Sequence, residues 1–399
     1  MRKNMGLLFK LILGIVAGIL LGSLSTFFGD SALYNGFVRL FVTFTGLFSN
    51  FLSFIIPLII ISFVSVGMAD LGKRANKLFV ITLVLAYCST ILAGIAAFAV
   101  GKITLHSVVN VIDNADIAEK AFEPFFTVEM TPIFGVMTAL VLAFLLGIGM
   151  ANIKGNSLLE GFRDLQDIVK GTINKIIIPL IPFYIAGMFC KIGAEGKLVA
   201  TIKMFVALFF LIIILQYAYI FVQYTIASII CRKNHIKKIK NAMPTYFTAL
   251  GTQSSASTIP VALNCAVRNG VKPEVADFCI PLCATIHLAG DTICLVLGTM
   301  GIMVAEGIEP TIAMFTPYIF LLGITMVAAP GVPGGGVMAA LGLINDLLGF
   351  TQPMQQLIIS LHLSQDSFGT STNVMGDQAL ALIVDKFDDY ISKKDKHKK

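Results

Sequence analysis

The sequence predicts an all-α membrane protein with eight transmembrane helices and two re-entrant helical hairpins. Of its 399 residues, 56% are hydrophobic and 13% are charged, and the mean hydropathy is +0.86. Because soluble domains carry about 25% charged residues, this composition excludes an ordinary soluble domain. Repeated apolar stretches of about 20 residues fit the thickness of a bilayer, whereas two segments near the C-terminus have apolar arms too short to cross it.

Six apolar stretches in the N-terminal part predict the first six transmembrane helices. Their ranges are 6–26, 36–69, 77–101, 131–153, 165–193 and 199–230. No small-residue cleavage site follows the first stretch, so we interpret it as a retained helix and not as a signal peptide. Glycine and proline residues within the fourth and fifth stretches predict bends in those helices.

Basic residues follow the even-numbered helices, whereas the loop at 102–130 is acidic. By the positive-inside rule, this pattern places both chain termini and the basic loops in the cytoplasm. The residues concerned are Arg2, Lys3, Lys73, Arg74, Lys77, Lys154, Arg163, Arg232, Lys233, Lys237, Lys238 and Lys240. We expect a multi-pass protein of the plasma (inner) membrane with a basic cytoplasmic tail at 391–399. The net charge of +6 follows from this pattern and does not indicate a nucleic-acid partner.

Two segments of the C-terminal part predict the re-entrant hairpins. Segment 241–265 has a Ser/Thr cluster between two short apolar arms, and segment 310–348 has the sequence PGVPGGG in that position. Irregular backbone at membrane depth is tolerated only inside protein or beside a wet cavity. We therefore predict that the first segment enters from the cytoplasm and the second from outside. Between them, the apolar helix 274–304 is interrupted by HLAGD at 287–291.

The last predicted helix, 361–385, carries four polar residues on one face. Asp366, Thr370, Asn373 and Asp377 recur at steps of four, three and four residues, which is the spacing of one helical face. A charged side chain at mid-bilayer costs about 2.5–3.5 kcal/mol, so these carboxylates predict a buried binding cavity. The alternative is that Asp377 begins the solvated end of the helix.

Four motifs resemble those of the dicarboxylate/amino acid:cation symporters, the glutamate transporter family. They are TQSSASTIP at 252–260, ATIHLAGDT at 284–292, PGVPGGG at 330–336 and DSFGTSTNVMGD at 366–377. Their order and spacing fit the family, and the helix count fits over nearly the whole chain. Inverted repeats with broken helices mark secondary transporters, a rule drawn partly from this family.

The resemblance implies a homotrimer that works by an elevator mechanism. Within 1–240, helices one, two, four and five would form a fixed scaffold, and helices three and six would belong to a mobile transport domain. The hairpins and helices seven and eight, at 241–390, would complete that transport domain. The external hairpin would act as the gate.

The resemblance also implies roles for individual residues. Asp366 falls where the family binds the α-ammonium group of its substrate, and Ser254 and Ser255 fall at the hairpin tip that holds the α-carboxylate. The alternative for the two serines is a polar loop in water. The other implied substrate residues are Asp291, Val332, Gly336, Gly369, Thr370 and Asn373. The implied sodium ligands are Cys283, Asn373, Asp377, Thr285, Leu288, Met326, Val327 and Ala329.

Two departures from the family's pattern bear on the substrate. Members that take acidic substrates carry an arginine where this chain has Gly369, or supply it from the first hairpin, where this chain has Gln253. An unpaired buried substrate carboxylate costs several kcal/mol, so we expect glutamate and aspartate to be poor substrates. Asp291 replaces a usual threonine and suits a small hydroxyl-bearing or a cationic amino acid. The alternative is a structural ion pair between Asp291 and His287.

A third departure bears on the coupled ion. The sequence His287-Leu288-Ala289 replaces the family's N-M-D, and His362 replaces another cation-associated carboxylate. The loss of these carboxylates argues against three sodium ions. Because histidine titrates near neutral pH, proton coupling through His287 and His362 is a second hypothesis beside sodium coupling. The alternative is that both histidines are structural.

These observations predict a sodium-coupled symporter for a small, neutral amino acid, with a dicarboxylate or a cationic amino acid as the alternative cargo. An intramembrane aspartyl protease is the enzyme alternative, but Leu288 and Val374 replace the leading glycine of its G-x-G-D motif. A channel would not need an ammonium-binding carboxylate beside gating hairpins. We therefore expect a carrier and not an enzyme.

Overall fold

The computed structural model describes residues 7–29, 31–73, 77–109, 122–231, 235–327, 329 and 333–396. These residues form α-helices and one π-helical turn, without any strand. In chain order the helices are α1 Leu7–Ser23, α2 Ser25–Phe28, α3 Ala32–Lys73, α4 Lys77–Val108, α5 Val136–Asn152, α6 Ser157–Thr172, α7 Ile178–Ala194, α8 Leu198–Cys231, α9 His235–Thr252, α10 Ser255–Arg268, α11 Pro273–Ile286, α12 Ala289–Ala305, α13 Ile312–Met326, α14 Gly335–Leu348 and α15 Gln352–Lys396.

The all-helical membrane fold predicted from the sequence is confirmed. Within the described residues, six stretches are long and apolar enough to span a bilayer, namely Phe9–Phe28, Ala32–Asp70, Lys77–Val108, Ser157–Ala194, Leu198–Cys231 and Pro273–Ala305. Shorter apolar helices lie at Met137–Asn152, Ile312–Met326 and Gly335–Leu348. The full count of eight spans and two re-entrant hairpins stays a prediction.

Proline accounts for the interruption of the predicted fifth helix. Here α6 passes into α7 through the π-helical turn Ile173–Ile177. Pro179 lies at the start of α7 and has no N–H group to donate to the preceding turn. Such π-bulges are a recognised cause of irregularity within long helices.

The break predicted at 287–291 is present between α11 and α12. His287 and Leu288 leave the helical conformation, with φ of −118° and −121°. The chain touches α15 here, because a Cβ atom on Gly290 would lie 2.4 Å from the carbonyl oxygen of Gly369. Only glycine at position 290 permits this approach.

The helices pack as two groups. α1, α3, α5, α6 and α7 pack mainly on one another, whereas α4 and α8 to α12 pack around α15. α14 contacts α3, α5 and α15, so it lies where the groups meet. This arrangement places α15 and the break in α11–α12 inside the second group.

Two pairs of helices form hairpins beside that break. α9 and α10 pack together and are joined by Gln253 and Ser254, and α13 packs against α14. Gln253 has a φ of +51°, a left-handed conformation that is uncommon for a residue other than glycine and clusters at functional sites. Its side chain is held by a 2.8 Å hydrogen bond from Nε2 to Ser367 Oγ on α15.

Candidate functional site

A cavity of about 70 Å³ lies between the two hairpins, the helix break and α15. Its lining combines most of the substrate positions implied by the sequence with four of the implied ion positions. The lining residues are Gln253, Ser254, Ser255, Ala284, Thr285, Leu288, Asp291, Ala329, Gly336, Asp366, Thr370 and Asn373. Segments far apart in the chain therefore converge on one small polar cavity.

Asp366 is a buried carboxylate at this cavity. The residue is 6% exposed, and its Oδ2 atom accepts a 3.1 Å hydrogen bond from the backbone N–H of Gly334. Side-chain ligand atoms of Asp366, Asp291 and His362 lie within 4.8 Å of one another. Opposite charges attract strongly where water is excluded, so Asp366 suits a bound cation or ammonium group.

Asp291 is the second buried carboxylate, and two side chains of α15 hold it. Its Oδ1 atom lies 2.8 Å from Nε2 of His362, and its Oδ2 atom accepts a 2.5 Å hydrogen bond from Nδ2 of Asn373. The Oδ1 atom of Asn373 in turn accepts from the N–H of Gly290 at 2.7 Å. The helix break is thereby fastened to α15.

The alternative pairing of Asp291 with His287 is wrong. One helical turn would join these residues only in a continuous helix, and the break between α11 and α12 separates them. His287 instead pairs with Asp377, with 2.9 Å between Nδ1 and Oδ1.

The pair His287–Asp377 forms a second buried polar centre outside the cavity lining. Asp377 is 1% exposed, so the reading of this residue as a solvated helix end is also wrong. The Nε2 atom of His287 lies 3.0 Å from Ser89 Oγ on α4. Gln223 on α8 donates a 2.9 Å hydrogen bond to the same hydroxyl. Three helices therefore surround the imidazole.

Both glycines predicted at the substrate site lie beside Asp291. A Cβ atom on Gly336 would be 3.0 Å from Asp291 Oδ1, which leaves little room for a side chain. A Cβ atom on Gly369 would meet the backbone nitrogen and Oδ1 of Asp291 at 3.7 Å, an ordinary contact. Position 369 can therefore accept a side chain more readily than position 336.

Only some of the predicted backbone ligands for sodium line the cavity. Thr285, Leu288 and Ala329 line the cavity, but the Leu288 carbonyl already accepts the N–H and the hydroxyl of Thr292, at 3.0 and 2.9 Å. The Cys283 carbonyl accepts the N–H of His287. Met326 and Val327 lie at the end of α13, and Val332 lies outside the described residues. The sodium ligand set stays a prediction.

Sequence reasoning missed the polar residues that α4 and α8 supply. Gln216 donates a 3.1 Å hydrogen bond from Nε2 to the carbonyl of Gly290, the residue whose N–H bonds to Asn373. Gln216 and Gln223 are buried in a predominantly apolar helix. Polar residues at membrane depth are a signal of function, and this signal was available in the sequence.

A larger cavity of about 450 Å³ adjoins the first. α3 and α6 contribute Asp70 and Gln166 to its wall, and α11 contributes Asp277. Thr285 and Ala329 line both cavities. The polar site is therefore separated from a space between the two helix groups by these shared residues.

A helical membrane protein whose hairpins and broken helix surround buried carboxylates belongs to the class of secondary transporters. The model of the sodium:dicarboxylate symporter family matches residues 7–387, and the chain belongs to this family. The resemblance predicted from the four motifs is thus confirmed. The family is one of multi-pass membrane transporters, which argues for a transporter rather than an enzyme.

Curated relatives cover most of the chain at low identity. A protein of Streptococcus suis named serine/threonine transporter SstT is 27% identical over 348 residues, which are 84% of this chain and 94% of the relative. A protein of the same name from Acinetobacter baumannii is 25% identical over 403 residues, 96% of this chain and 97% of the relative. Human excitatory amino acid transporter 1 is 26% identical over 271 residues, 65% of this chain and 49% of the relative.

Proposed function

We propose that this protein takes up a small, neutral, hydroxyl-bearing amino acid such as serine or threonine, coupled to sodium. The observation that carries the proposal is the cavity of about 70 Å³ with two buried carboxylates, Asp291 and Asp366. No arginine or lysine lines it among the described residues. The names of the SstT relatives support the same substrate class.

The cavity offers partners for both ends of an amino acid. Asp366 is the ammonium partner, because a charge-assisted hydrogen bond is stronger than a neutral one. Ser254 is the N-cap of α10 and Ser255 begins that helix. A helix N-terminus presents backbone N–H groups and a positive dipole end to an anion, so this tip suits the α-carboxylate.

The two helix groups support a division into a fixed and a mobile part. The group of α1, α3, α5, α6 and α7 is the proposed scaffold, and the group around α15 is the proposed transport domain. The cavity of about 450 Å³ between them lies beside the site. We propose that the mobile group carries the site across the membrane in each subunit of a homotrimer, with both chain termini in the cytoplasm.

Sodium is the proposed driving ion, and Asp377 with Asn373 is its proposed carboxylate and amide pair. Asp377 already has a partner within the protein, His287. Fewer sodium ions are therefore needed to balance the buried carboxylate. Coupling to protons through His287 or His362 remains the second hypothesis. It requires that a pH gradient alone drives uptake.

Reconstituted protein tests the proposal directly. Proteoliposomes loaded with unlabelled serine should accumulate labelled serine by counterflow. An inward sodium gradient should drive uptake more strongly than an imposed potassium or pH gradient. If no neutral amino acid is exchanged or driven by sodium, the proposed function is wrong.

An arginine at position 369 is expected to admit aspartate only when Asp291 is also replaced. The backbone at position 369 tolerates a side chain, because a Cβ atom there would be in ordinary contact with Asp291. In Gly369→Arg alone, the guanidinium should pair with Asp291, and its positive charge is then not available to the substrate. In Gly369→Arg with Asp291→Thr, it is free to form the bidentate bond to a substrate carboxylate. Uptake of labelled aspartate measures both variants.

The two variants also serve as each other's control. Equal aspartate uptake by the single and the double variant would contradict the pairing with Asp291. If neither variant takes up aspartate while serine exchange is retained, the missing arginine does not explain the rejection of acidic substrates.

A further inference from the structure

We propose that Gln352 and Gln356, at the start of α15, form a latch that joins the two helix groups, and that this latch opens in each transport cycle. The inference rests on the proposed function, because it concerns the movement of the group around α15 past the group of α1, α3, α5, α6 and α7. Neither glutamine lines the cavity of about 70 Å³, so the latch lies outside the proposed substrate site.

Both glutamines donate hydrogen bonds across the boundary between the groups. Gln352 donates a 3.0 Å hydrogen bond from Nε2 to Oδ1 of Asn50. Gln356 donates a 3.3 Å hydrogen bond from Nε2 to Oγ of Ser49. Both acceptors lie on α3. Because residues four apart share one face of a helix, α15 presents the two amides to α3 together.

The acceptors on α3 are held in place by their own group. Nδ2 of Asn50 donates a 2.8 Å hydrogen bond to the carbonyl of Val128, in the segment before α5, which leaves Oδ1 to accept from α15. Oγ of Ser49 lies 3.0 Å from the buried hydroxyl of Tyr184 on α7. Partners that are held before a contact forms lose less conformational freedom when it does, so this side of the latch is preorganised.

The segment that carries Val128 is itself fastened to α3. Arg39 donates a 3.1 Å hydrogen bond from Nε to the carbonyl of Glu123, and its guanidinium carbon lies 4.4 Å from the ring centre of Phe125. The N–H of Phe125 donates a 2.9 Å hydrogen bond to Oγ1 of Thr43. The segment therefore belongs to the group of α3 and holds Asn50 relative to that group.

The latch and the larger cavity lie at different levels of α3. Asn50 lies near the middle of this helix, whereas Asp70, near its end, lines the cavity of about 450 Å³. By the rise of an α-helix, these two residues are about 30 Å apart along its axis. The groups are thus hydrogen-bonded at one level and have a cavity between them at the other. The latch holds the arrangement in which the polar site adjoins the larger cavity.

Sliding of one group past the other breaks both bonds of the latch. A displacement of one helical turn, about 5 Å, exceeds the distance over which a hydrogen bond persists. The net stabilisation by one such bond is modest. The latch therefore favours this arrangement without preventing the movement.

Reversible crosslinking tests whether the contact opens during transport. In Asn50→Cys with Gln352→Cys, a short bifunctional methanethiosulfonate reagent bridges the two groups. Serine counterflow in proteoliposomes should then stop, and it should return after reduction with dithiothreitol. In Asn50→Cys with Val128→Cys, the bridge stays within one group, so exchange should persist. Mass spectrometry verifies each bridge, and the unmodified protein with the same reagent reports any effect of the seven native cysteines.

Removal of the latch tests its contribution to the rate. Gln352→Ala with Gln356→Ala should raise the maximal rate of serine counterflow about tenfold, because two hydrogen bonds of the starting arrangement no longer have to break. The KM for serine should change less, since neither residue lines the cavity. A structural role alone would instead lower both the rate and the Tm.

Gln355→Ala is the matched control in the same turn of α15. Gln355 donates hydrogen bonds to Oδ1 of Asn345 on α14 and to the carbonyl of Phe350. Both acceptors belong to the proposed transport domain, so these bonds do not join the two groups. The loss of this amide should leave the maximal rate unchanged.

Three results would overturn the inference. Undiminished exchange with the bridge between positions 50 and 352 in place would show that the contact stays closed during transport. Loss of exchange with the bridge between positions 50 and 128 as well would show that joining the groups is not the cause. A maximal rate in the double alanine variant no higher than that of Gln355→Ala would show that the glutamines are not a latch. If the unmodified protein exchanges no serine, the proposed function itself fails, which is a distinct outcome.

Discussion

Replacing Asp366 by asparagine is expected to abolish amino acid uptake while the protein remains folded. The asparagine carbonyl can still accept the N–H of Gly334, which now bonds the carboxylate, so the packing around α15 should survive. The substrate ammonium group, however, loses the negative charge that compensates for the water it gives up on entering the cavity. Truncating one partner of a buried charge pair costs enough for a loss of about a hundredfold or more in exchange rate.

Initial rates of serine counterflow measure this effect, and thermal unfolding in detergent checks the fold. Asp346→Asn is the matched control, because Asp346 is an exposed carboxylate on α14, away from the cavity lining. The control should exchange serine at the rate of the unchanged protein. Exchange by Asp366→Asn at that same rate would end the assignment of the ammonium partner.

Removing the imidazole from the second polar centre should cause the largest loss of stability. His287 is fully buried and pairs with Asp377 at 2.9 Å. In His287→Leu the carboxylate stays buried without its partner, which costs about 3–5 kcal/mol in comparable buried pairs. We expect a clearly lower Tm for the purified variant.

The double variant His287→Leu with Asp377→Leu separates stability from transport. Replacing both members of a buried pair by apolar residues is often neutral or stabilising, so the Tm should recover. Sodium-driven uptake should not recover, because the proposed ion carboxylate is gone. Recovery of both the Tm and the uptake would show that the pair is only structural. If the Tm does not recover, the stability loss in His287→Leu does not come from the unpaired carboxylate of Asp377.

The sequence predicted the elements of the site better than their pairing. The spacing of four, three and four residues predicted that Asp366, Thr370, Asn373 and Asp377 share one face of a helix, and all four are buried in α15. That face continues past the cavity, so that Asp377 meets His287 instead of the cavity. A periodic pattern reports which residues share a face, but not where along the helix a cavity ends.

The helix break shows why partners were harder to predict. HLAGD correctly predicted an interruption, but an interruption removes the rule that residues four apart lie together. His287 therefore finds its partners on α4 and α15, and Asp291 finds His362 on α15. Pairs between segments that are distant in sequence depend on how the helices assemble. The spacing of residues within one segment cannot predict them.

Gln216 and Gln223 show a signal that could have been used. Both lie in the apolar helix α8, and both are buried against the polar network of the neighbouring helices. An amide at that depth needs a partner, and the sequence alone indicates that one exists. It does not indicate that the partner of Gln216 is a backbone carbonyl in another helix's break.

Thr285 and Ala329 belong to the walls of both the small and the large cavity. The two cavities are thus neighbours that share one residue of α11 and one residue that follows α13. If the small cavity is the transport site, a displacement of these two residues would be expected to connect it to the larger space, and a bulkier side chain at either position should slow exchange.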